Sequence, residues 1–147
     1  MAWNVITTAD IRIQPAEQAT LNHISGSDTA CAAILKMVIG EYIEAIQQGG
    51  NQFATDGTIP DVCRPHVMAR TRWLWLCEFP EMRNFQTKER SELNADAVKF
   101  RDAVAGGKPK IAPPANPSPA GAVPIVTMPV TGQSKLREFR RWQEDGI

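Results

Sequence analysis

The chain has 147 residues, of which 43% are hydrophobic and 22% charged, and its 16 basic side chains are balanced by 16 acidic ones. This length and composition are typical of one globular domain and exclude a fibrous or wholly disordered chain. The zero net charge argues against a dedicated nucleic-acid-binding protein. The charge is nevertheless uneven, because residues 1–60 carry 2 basic and 6 acidic side chains whereas residues 108–147 carry 6 and 3.

The cellular compartment is indicated by the cysteines and by the N-terminal residues. Three cysteines stand at irregular spacing, Cys31, Cys63 and Cys77, and the chain begins without the basic start and apolar run of a signal peptide. The longest apolar run, residues 73–77, is far shorter than the roughly 20 residues that span a bilayer. We therefore expect a soluble protein that is made in a reducing cytoplasm and has no membrane partner.

The first half of the chain is predicted to be helical. Residues 7–10 and 14–17 resemble helix caps or first turns, so one or two short helices are expected there. Between residues 28 and 48 apolar side chains recur three and four positions apart, which predicts a long amphipathic helix that ends at Gly49 and Gly50. Residues 51–59 contain Gly57 and precede Pro60, a composition typical of a loop.

Two further helices are predicted after this loop. The first covers residues 61–79 with Pro65 in its first turns, and Pro80 ends it. Its run of apolar residues spans more than one helical turn, so it is predicted to lie centrally in the bundle or between subunits. Three of these side chains are the candidates for a subunit interface: Trp73, Trp75 and Leu76.

The last predicted helix covers residues 87–104, where Leu93, Ala97, Phe100 and Val104 share one face. No segment alternates with the two-residue period of a half-buried strand. The fold class is therefore predicted to be all-α, with a small bundle of about four to five helices in residues 1–107.

The C-terminal region has a different composition from this body. Seven of the 11 prolines lie between residues 109 and 129, which predicts an extended proline-rich arm over residues 108–132 and a docking segment over residues 133–147. Apolar β-branched residues of the arm suit an extended strand on another protein, and aromatic residues and arginines beyond it are favoured at interfaces. The candidate docking residues are Val123, Ile125, Val126, Leu136, Phe139, Arg140, Arg141 and Trp142.

Catalytic and metal-binding motifs are scarce. Cys63 and His66, with Cys77 and His23 or Cys31, form one metal-like grouping, but zinc sites usually have two closely spaced ligand pairs. Buried structural cysteines are therefore the preferred interpretation, and no cofactor is expected. A phosphate-binding loop, a nucleophile elbow and an acid–base constellation are all missing, so we predict that the chain is not an enzyme. The carboxylate pairs Glu41/Glu44 and Glu89/Glu92 are expected on solvated helix faces.

The order of these features resembles the head–tail connector (adaptor) proteins of tailed bacteriophages, a family of small helical proteins that form a ring beneath the portal. The resemblance covers roughly residues 3–110. Its features are Trp3, Ile6, Thr7 and Asp10 near the start, the helix 28–48, the turn at 57–60, the residues 70–73, Pro80, the residues 88–90 with Ala97 and Phe100, and the residues 105–108 that lead into the prolines. The proline-rich arm is longer than the tails of that family.

The resemblance implies a structural virion protein located in the neck, at the head–tail junction. It implies a homo-oligomeric ring, dodecameric to match the portal, in which the C-terminal arm docks on the portal protein and the opposite end of the body receives a stopper or tail-completion protein. Genomic DNA would pass through the lumen without sequence-specific binding. Acidic side chains repel phosphate, and the acidic balance of residues 1–60 makes Glu41 and Glu44 the lumen candidates.

A second function remains open at the level of the sequence. The chain could be a small cytoplasmic helical regulator that binds nucleic acid or a protein partner through its basic C-terminal segment. Its DNA binding would weaken steeply with salt through Lys135, Arg137, Arg140 and Arg141.

Overall fold

The computed structural model describes residues 2–11 and 13–117. It confirms the all-α class, because helices account for most of the described residues. The α-helices are α1 (Pro15–Leu21), α2 (Ser27–Gln48), α3 (Arg64–Glu78) and α4 (Lys88–Ala105). Two 3₁₀ helices, Thr8–Asp10 and Pro80–Phe85, and two short strands, β1 (Trp3–Asn4) and β2 (Ile59–Pro60), complete the described elements.

Helix α2 is the central element and begins and ends close to its predicted limits. Gly26 precedes it in the left-handed conformation, with φ of 79°. The buried face of α2 includes Cys31, Leu35, Val38 and Tyr42, spaced three and four residues apart as the sequence predicts. These side chains pack against α3 and α4, so α2 organises the three-helix core.

The ends of α2 and α4 approach each other closely at Gly49. A Cβ atom at this position would collide with the carbonyl oxygen of Val104. Deeper in the core, the Tyr42 hydroxyl donates a hydrogen bond to the carbonyl oxygen of Ala97 at 2.7 Å. Both contacts join α2 to α4 and fix how closely these two helices pack.

Two buried clusters make up the core. One joins α2, α3 and α4 and includes Val38, Ile46, Val67 and Val104. The other lies between the N-terminal segment and the end of α3, where Trp75 and Leu76 pack with Ile11, Leu21 and Met82. The 3₁₀ helix Pro80–Phe85, which the sequence pattern did not predict, supplies Met82 to this second cluster.

The strands β1 and β2 were also not predicted. They pair antiparallel, with Trp3 opposite Pro60 and Asn4 opposite Ile59. Each strand has only two residues, which is too short for a period-2 pattern to appear in the sequence. This pair attaches the N-terminal segment to the start of α3.

The first residues of the proline-rich arm, 108–117, lie against the helical body. Ile111 is buried and its backbone N–H donates to Asn51 Oδ1 at 3.3 Å. The Trp3 indole N–H donates to the carbonyl oxygen of Ala112 at 3.0 Å, and Pro117 forms an antiparallel bridge with Ala54. Residues 108–117 therefore pack on the helical body.

This packing predicts that residues 108–117 stabilise the body. We expect the fragment 1–107 to unfold with a free energy about 2 kcal/mol lower than that of the fragment 1–117, because it loses the burial of Ile111 and the bond to Trp3. Urea denaturation followed by circular dichroism measures the difference.

The matched point variants are Ile111→Ala and Lys110→Ala within the fragment 1–117. The first should lower the free energy of unfolding by about 2 kcal/mol, and the second, at an exposed neighbour, by less than about 0.5 kcal/mol. Equal stability of 1–107 and 1–117 would contradict the assignment.

Candidate functional site

A surface groove between α3 and α4 is the main candidate site. Its volume is about 160 Å³. The lining residues are Ile11, Met68, Ala69, Arg72, Trp73, Arg90 and Leu93. Leu93 has 51% of its surface exposed and Trp73 is half-buried, so two large apolar side chains border an opening that the described residues leave unfilled. Such side chains at a concave surface are typical of a protein-binding site.

The two arginines of the groove are held by Glu17, whose side chain is fully buried. Its Oε2 accepts a hydrogen bond from the backbone N–H of Gln14 at 2.8 Å and forms an ion pair with Arg72 at 2.7 Å. Its Oε1 contacts the Arg90 guanidinium. One carboxylate thus positions a guanidinium from α3 and one from α4, and the trio keeps a net charge of +1.

The charge and shape of the groove define what it can bind. Most of its lining residues are apolar, and Arg72 and Arg90 supply the charge. A polypeptide that presents an apolar side chain next to an acidic group fits these features, because the apolar part fills the walls and the acid meets the surplus positive charge.

The three interface candidates on α3 have different environments in the structure. Trp75 is 3% exposed and Leu76 is 2% exposed, and the indole N–H of Trp75 donates to the carbonyl oxygen of Ser27 at 3.0 Å. These two side chains belong to the core of their own subunit and are unavailable for a subunit contact, which corrects the prediction. Trp73 stays a candidate, because it lies on the groove.

The two lumen candidates also have different environments. Glu41 is bound by Arg70 through Oε2 at 2.8 Å and by Arg101 through the same oxygen at 3.0 Å. It therefore serves as an internal link between α2, α3 and α4 and does not project a free negative charge, which corrects its assignment to a channel wall. Glu44 is exposed and accepts a hydrogen bond from the Gln48 amide at 3.2 Å, so its carboxylate remains available.

The electrostatics at Glu41 follow from these partners. Burial raises the pKa of the Glu41 carboxyl, but the hydrogen bonds and charges of Arg70 and Arg101 outweigh burial and hold this pKa below its ordinary value of 4.5. The folded state therefore favours the ionised form of this carboxyl.

The cysteines and histidines of the metal-like grouping are distributed over the fold. Cys63 is buried before α3, and burial raises the pKa of its thiol to about 12. His66 stacks on Phe100 with 4.0 Å between ring centroids, and burial lowers its pKa. Cys31 lies in the second buried cluster and Cys77 is exposed. Within residues 2–11 and 13–117, no group of three or more His, Cys, Asp or Glu side chains could hold a metal ion.

The candidate docking residues of the arm lie outside the described residues. They are Val123, Ile125, Val126, Leu136, Phe139, Arg140, Arg141 and Trp142.

Sequence reasoning did not single out Leu93 and Glu17, which shape the groove, as site residues. Leu93 was predicted on the buried stripe of α4, yet it borders the groove, whereas Ala97 and Val104 of the same stripe are buried. Glu17 gave a signal only as the third residue of a helix start, where its carboxylate caps the backbone N–H of Gln14. Its pairing with Arg72 had no local signal, because 55 positions separate the two residues.

Comparison of the chain with family models, with curated proteins and with solved structures gave no match. Among the described helices, none combines the length and the apolar character needed to cross a membrane.

The arrangement around Glu41 predicts a pH-dependent contribution to stability. Because the folded-state pKa lies below 4.5, the ionised carboxylate stabilises the fold above that pH, and the stabilisation is lost as the pH falls through the folded-state pKa. Glu41→Gln should lower the free energy of unfolding by about 1–2 kcal/mol at pH 7, and this deficit should shrink below pH 4.5.

The matched control is Glu92→Gln, because Glu92 forms an exposed pair with Lys88 at 3.7 Å. We expect a change below about 0.5 kcal/mol for this variant at either pH. Urea unfolding at pH 7 and at pH 3.5 tests both variants, and a pH-independent deficit in Glu41→Gln would refute the assigned role.

Proposed function

We propose that this chain is a head–tail connector (adaptor) protein of a tailed bacteriophage. In this function, copies of the helical body form a ring beneath the portal, residues 123–142 dock on the portal protein, and the opposite end of the body receives a stopper or tail-completion protein. Genomic DNA passes through the lumen of the ring without being bound by sequence. The protein then acts in the virion neck after synthesis in the host cytoplasm.

The α3–α4 groove is the observation that carries the proposal. Neighbours in a closed ring make heterologous contacts, in which one face of a subunit meets a different face of the next. A groove bordered by Trp73 and Leu93 provides one such face, since aromatic and large apolar side chains dominate the energetics of protein interfaces. An acidic and apolar segment of a neighbouring subunit would match the charge of Arg72 and Arg90.

The internal use of the arginines also supports a protein-binding role for the body. Five arginines form ion pairs with carboxylates of the same subunit: Arg64, Arg70, Arg72, Arg90 and Arg101. Nucleic-acid binding needs basic side chains that are free to displace counterions from phosphates. The alternative function, a regulator that binds nucleic acid, would therefore depend on the basic C-terminal segment and not on these arginines.

A channel through the ring requires a surface that does not retain DNA. Of the two lumen candidates, Glu44 keeps an exposed carboxylate, whereas the charge of Glu41 is compensated by two arginines. Glu44 is therefore the candidate that this proposal retains for the channel wall.

Binding to the portal protein encoded in the same genome tests the docking segment. Full-length chain should load saturably on portal rings in mass photometry, whereas Trp142→Ala and Phe139→Ala should weaken binding by more than about 1 kcal/mol because each removes an aromatic anchor. The fragment 1–117, which keeps the arm residues that pack on the body, should fail to load.

The outcomes separate the two functions. Unchanged binding by both alanine variants would exclude residues 139 and 142 as the anchor. Absence of loading by the full-length chain, together with DNA binding that weakens steeply with salt, would replace the connector proposal by the regulator.

The groove is tested by introducing a charge at its rim. Leu93→Glu should leave the fold intact, because Leu93 is half-exposed, and should reduce the number of subunits bound per portal ring by preventing lateral contact. The control is Ala95→Glu, an exposed position of the same helix away from the groove. Full occupancy by Leu93→Glu would remove the groove from the ring contact.

A further inference from the structure

The outward face of α2 differs from an ordinary solvated helix surface. The whole of helix α2 has four charged residues in 22 positions: Asp28, Lys36, Glu41 and Glu44. Of these, Glu41 is turned to the arginines of α3 and α4. Met37 has 50% of its surface exposed, and the neighbouring positions of this face carry small or apolar residues. Exposed positions of this face are Thr29, Ala33, Lys36, Met37, Gly40 and Glu44.

Three of these residues form one row along the helix. Lys36, Gly40 and Glu44 are spaced four positions apart, so they follow one another on the same side of α2. Lys36 forms no ion pair within residues 2–11 and 13–117, and Glu44 accepts only the hydrogen bond from Gln48 that is described above. The row thus presents a positive charge and a negative charge at equal distances from a central glycine.

Gly40 is not explained by the packing of its own subunit. Glycine lowers helix stability relative to alanine, and a Cβ atom at position 40 would meet nothing within 4 Å. Gly49, in contrast, is required by the nearby Val104 carbonyl. A glycine in the middle of an exposed helix face suits the close approach of a second backbone.

We propose that the outward faces of α2 from two copies of this chain pack antiparallel about a two-fold axis at Gly40. Helices that cross at about 50° align their i±4 rows, so the two rows lie against each other. Antiparallel pairing then places Lys36 beside Glu44 of the second copy, and the symmetry repeats this contact on the other side of Gly40. Met37 flanks the row and adds apolar area.

The second copy is the occupant that the charge pattern selects. The face is self-complementary only when it meets itself in the antiparallel direction, which is the requirement of an isologous contact. One pair of helix faces is smaller than a standard interface, so the dimer is expected to dissociate in the micromolar range.

This pairing is independent of the proposed connector function. A ring closes through heterologous contacts, whereas the α2 pair is isologous and uses a different face from the α3–α4 groove. In the α2 pair Glu44 neutralises Lys36 of the second copy, so a subunit paired in this way does not offer Glu44 to a channel wall. Portal loading and α2 pairing can therefore succeed or fail separately.

Charge reversal in the full-length chain tests the pairing. Lys36→Glu and Glu44→Lys should each weaken self-association at least tenfold in sedimentation equilibrium, because each places like charges together twice per dimer. An equimolar mixture of the two variants should associate as tightly as the wild type, since both contacts then join opposite charges. The double variant Lys36→Glu/Glu44→Lys should also associate normally.

The rescue by mixing distinguishes a direct contact from a loss of folding or a change in net charge. A wild-type chain that stays monomeric to several hundred micromolar would overturn the proposal. Single reversals without effect, or weakened variants that mixing does not rescue, would also overturn it.

Gly40→Ala gives a second, independent measurement. The added Cβ has open space in the subunit, so the thermal midpoint of the monomer should rise, while self-association should weaken at least tenfold because the helices can no longer approach as closely. Unchanged self-association in this variant would exclude Gly40 as the crossing point.

Discussion

The fold depends on two carboxylates that are each shared by an arginine of α3 and an arginine of α4. Glu17 binds Arg72 and Arg90, and Glu41 binds Arg70 and Arg101. Buried ion pairs add little net stability, because desolvation offsets most of the attraction, but removal of one partner leaves uncompensated charge. Each carboxylate therefore acts chiefly as a constraint, because both of its ion pairs form only when α3 and α4 lie side by side in this register.

These constraints also determine the surface that the subunit presents to other molecules. The arginines that reach across α3 and α4 are used for internal pairing, so the space between the two helices is an apolar groove with a small positive surplus and not a basic stripe. Glu41 is turned inward by the same pairing, which leaves the outward face of α2 with few charges. Internal electrostatics thus leaves an apolar groove and a helix face with few charges, and both surfaces suit contact with other protein chains.

The sequence predicted the helices, in which apolar residues recur over several turns. It did not predict the contacts between residues that are far apart in the chain. Helix α2 follows from its apolar spacing, and Pro65 and Pro80 correctly limited α3. The apolar run of α3 was predicted to lie centrally in the bundle or between subunits, and Trp75 and Leu76 take the central position. The sequence did not reveal that the 3₁₀ helix Pro80–Phe85 and the N-terminal segment cover them. The charge of Glu41 was misjudged for the same reason, since Arg101 lies 60 positions away.

The packing of residues 108–117 changes the geometry of any docking by the C-terminal segment. Trp3 pairs with Pro60 through β1 and also binds the carbonyl oxygen of Ala112, so the arm starts from a fixed point on the body. The tether between Pro117 and Leu136 comprises residues 118–135, which can span at most about 65 Å. This tether is shorter than the whole arm because residues 108–117 pack on the body. A shorter tether raises the effective concentration of the docking residues near the body. In the proposed docking, Leu136 therefore reaches its portal contact within that radius of Pro117.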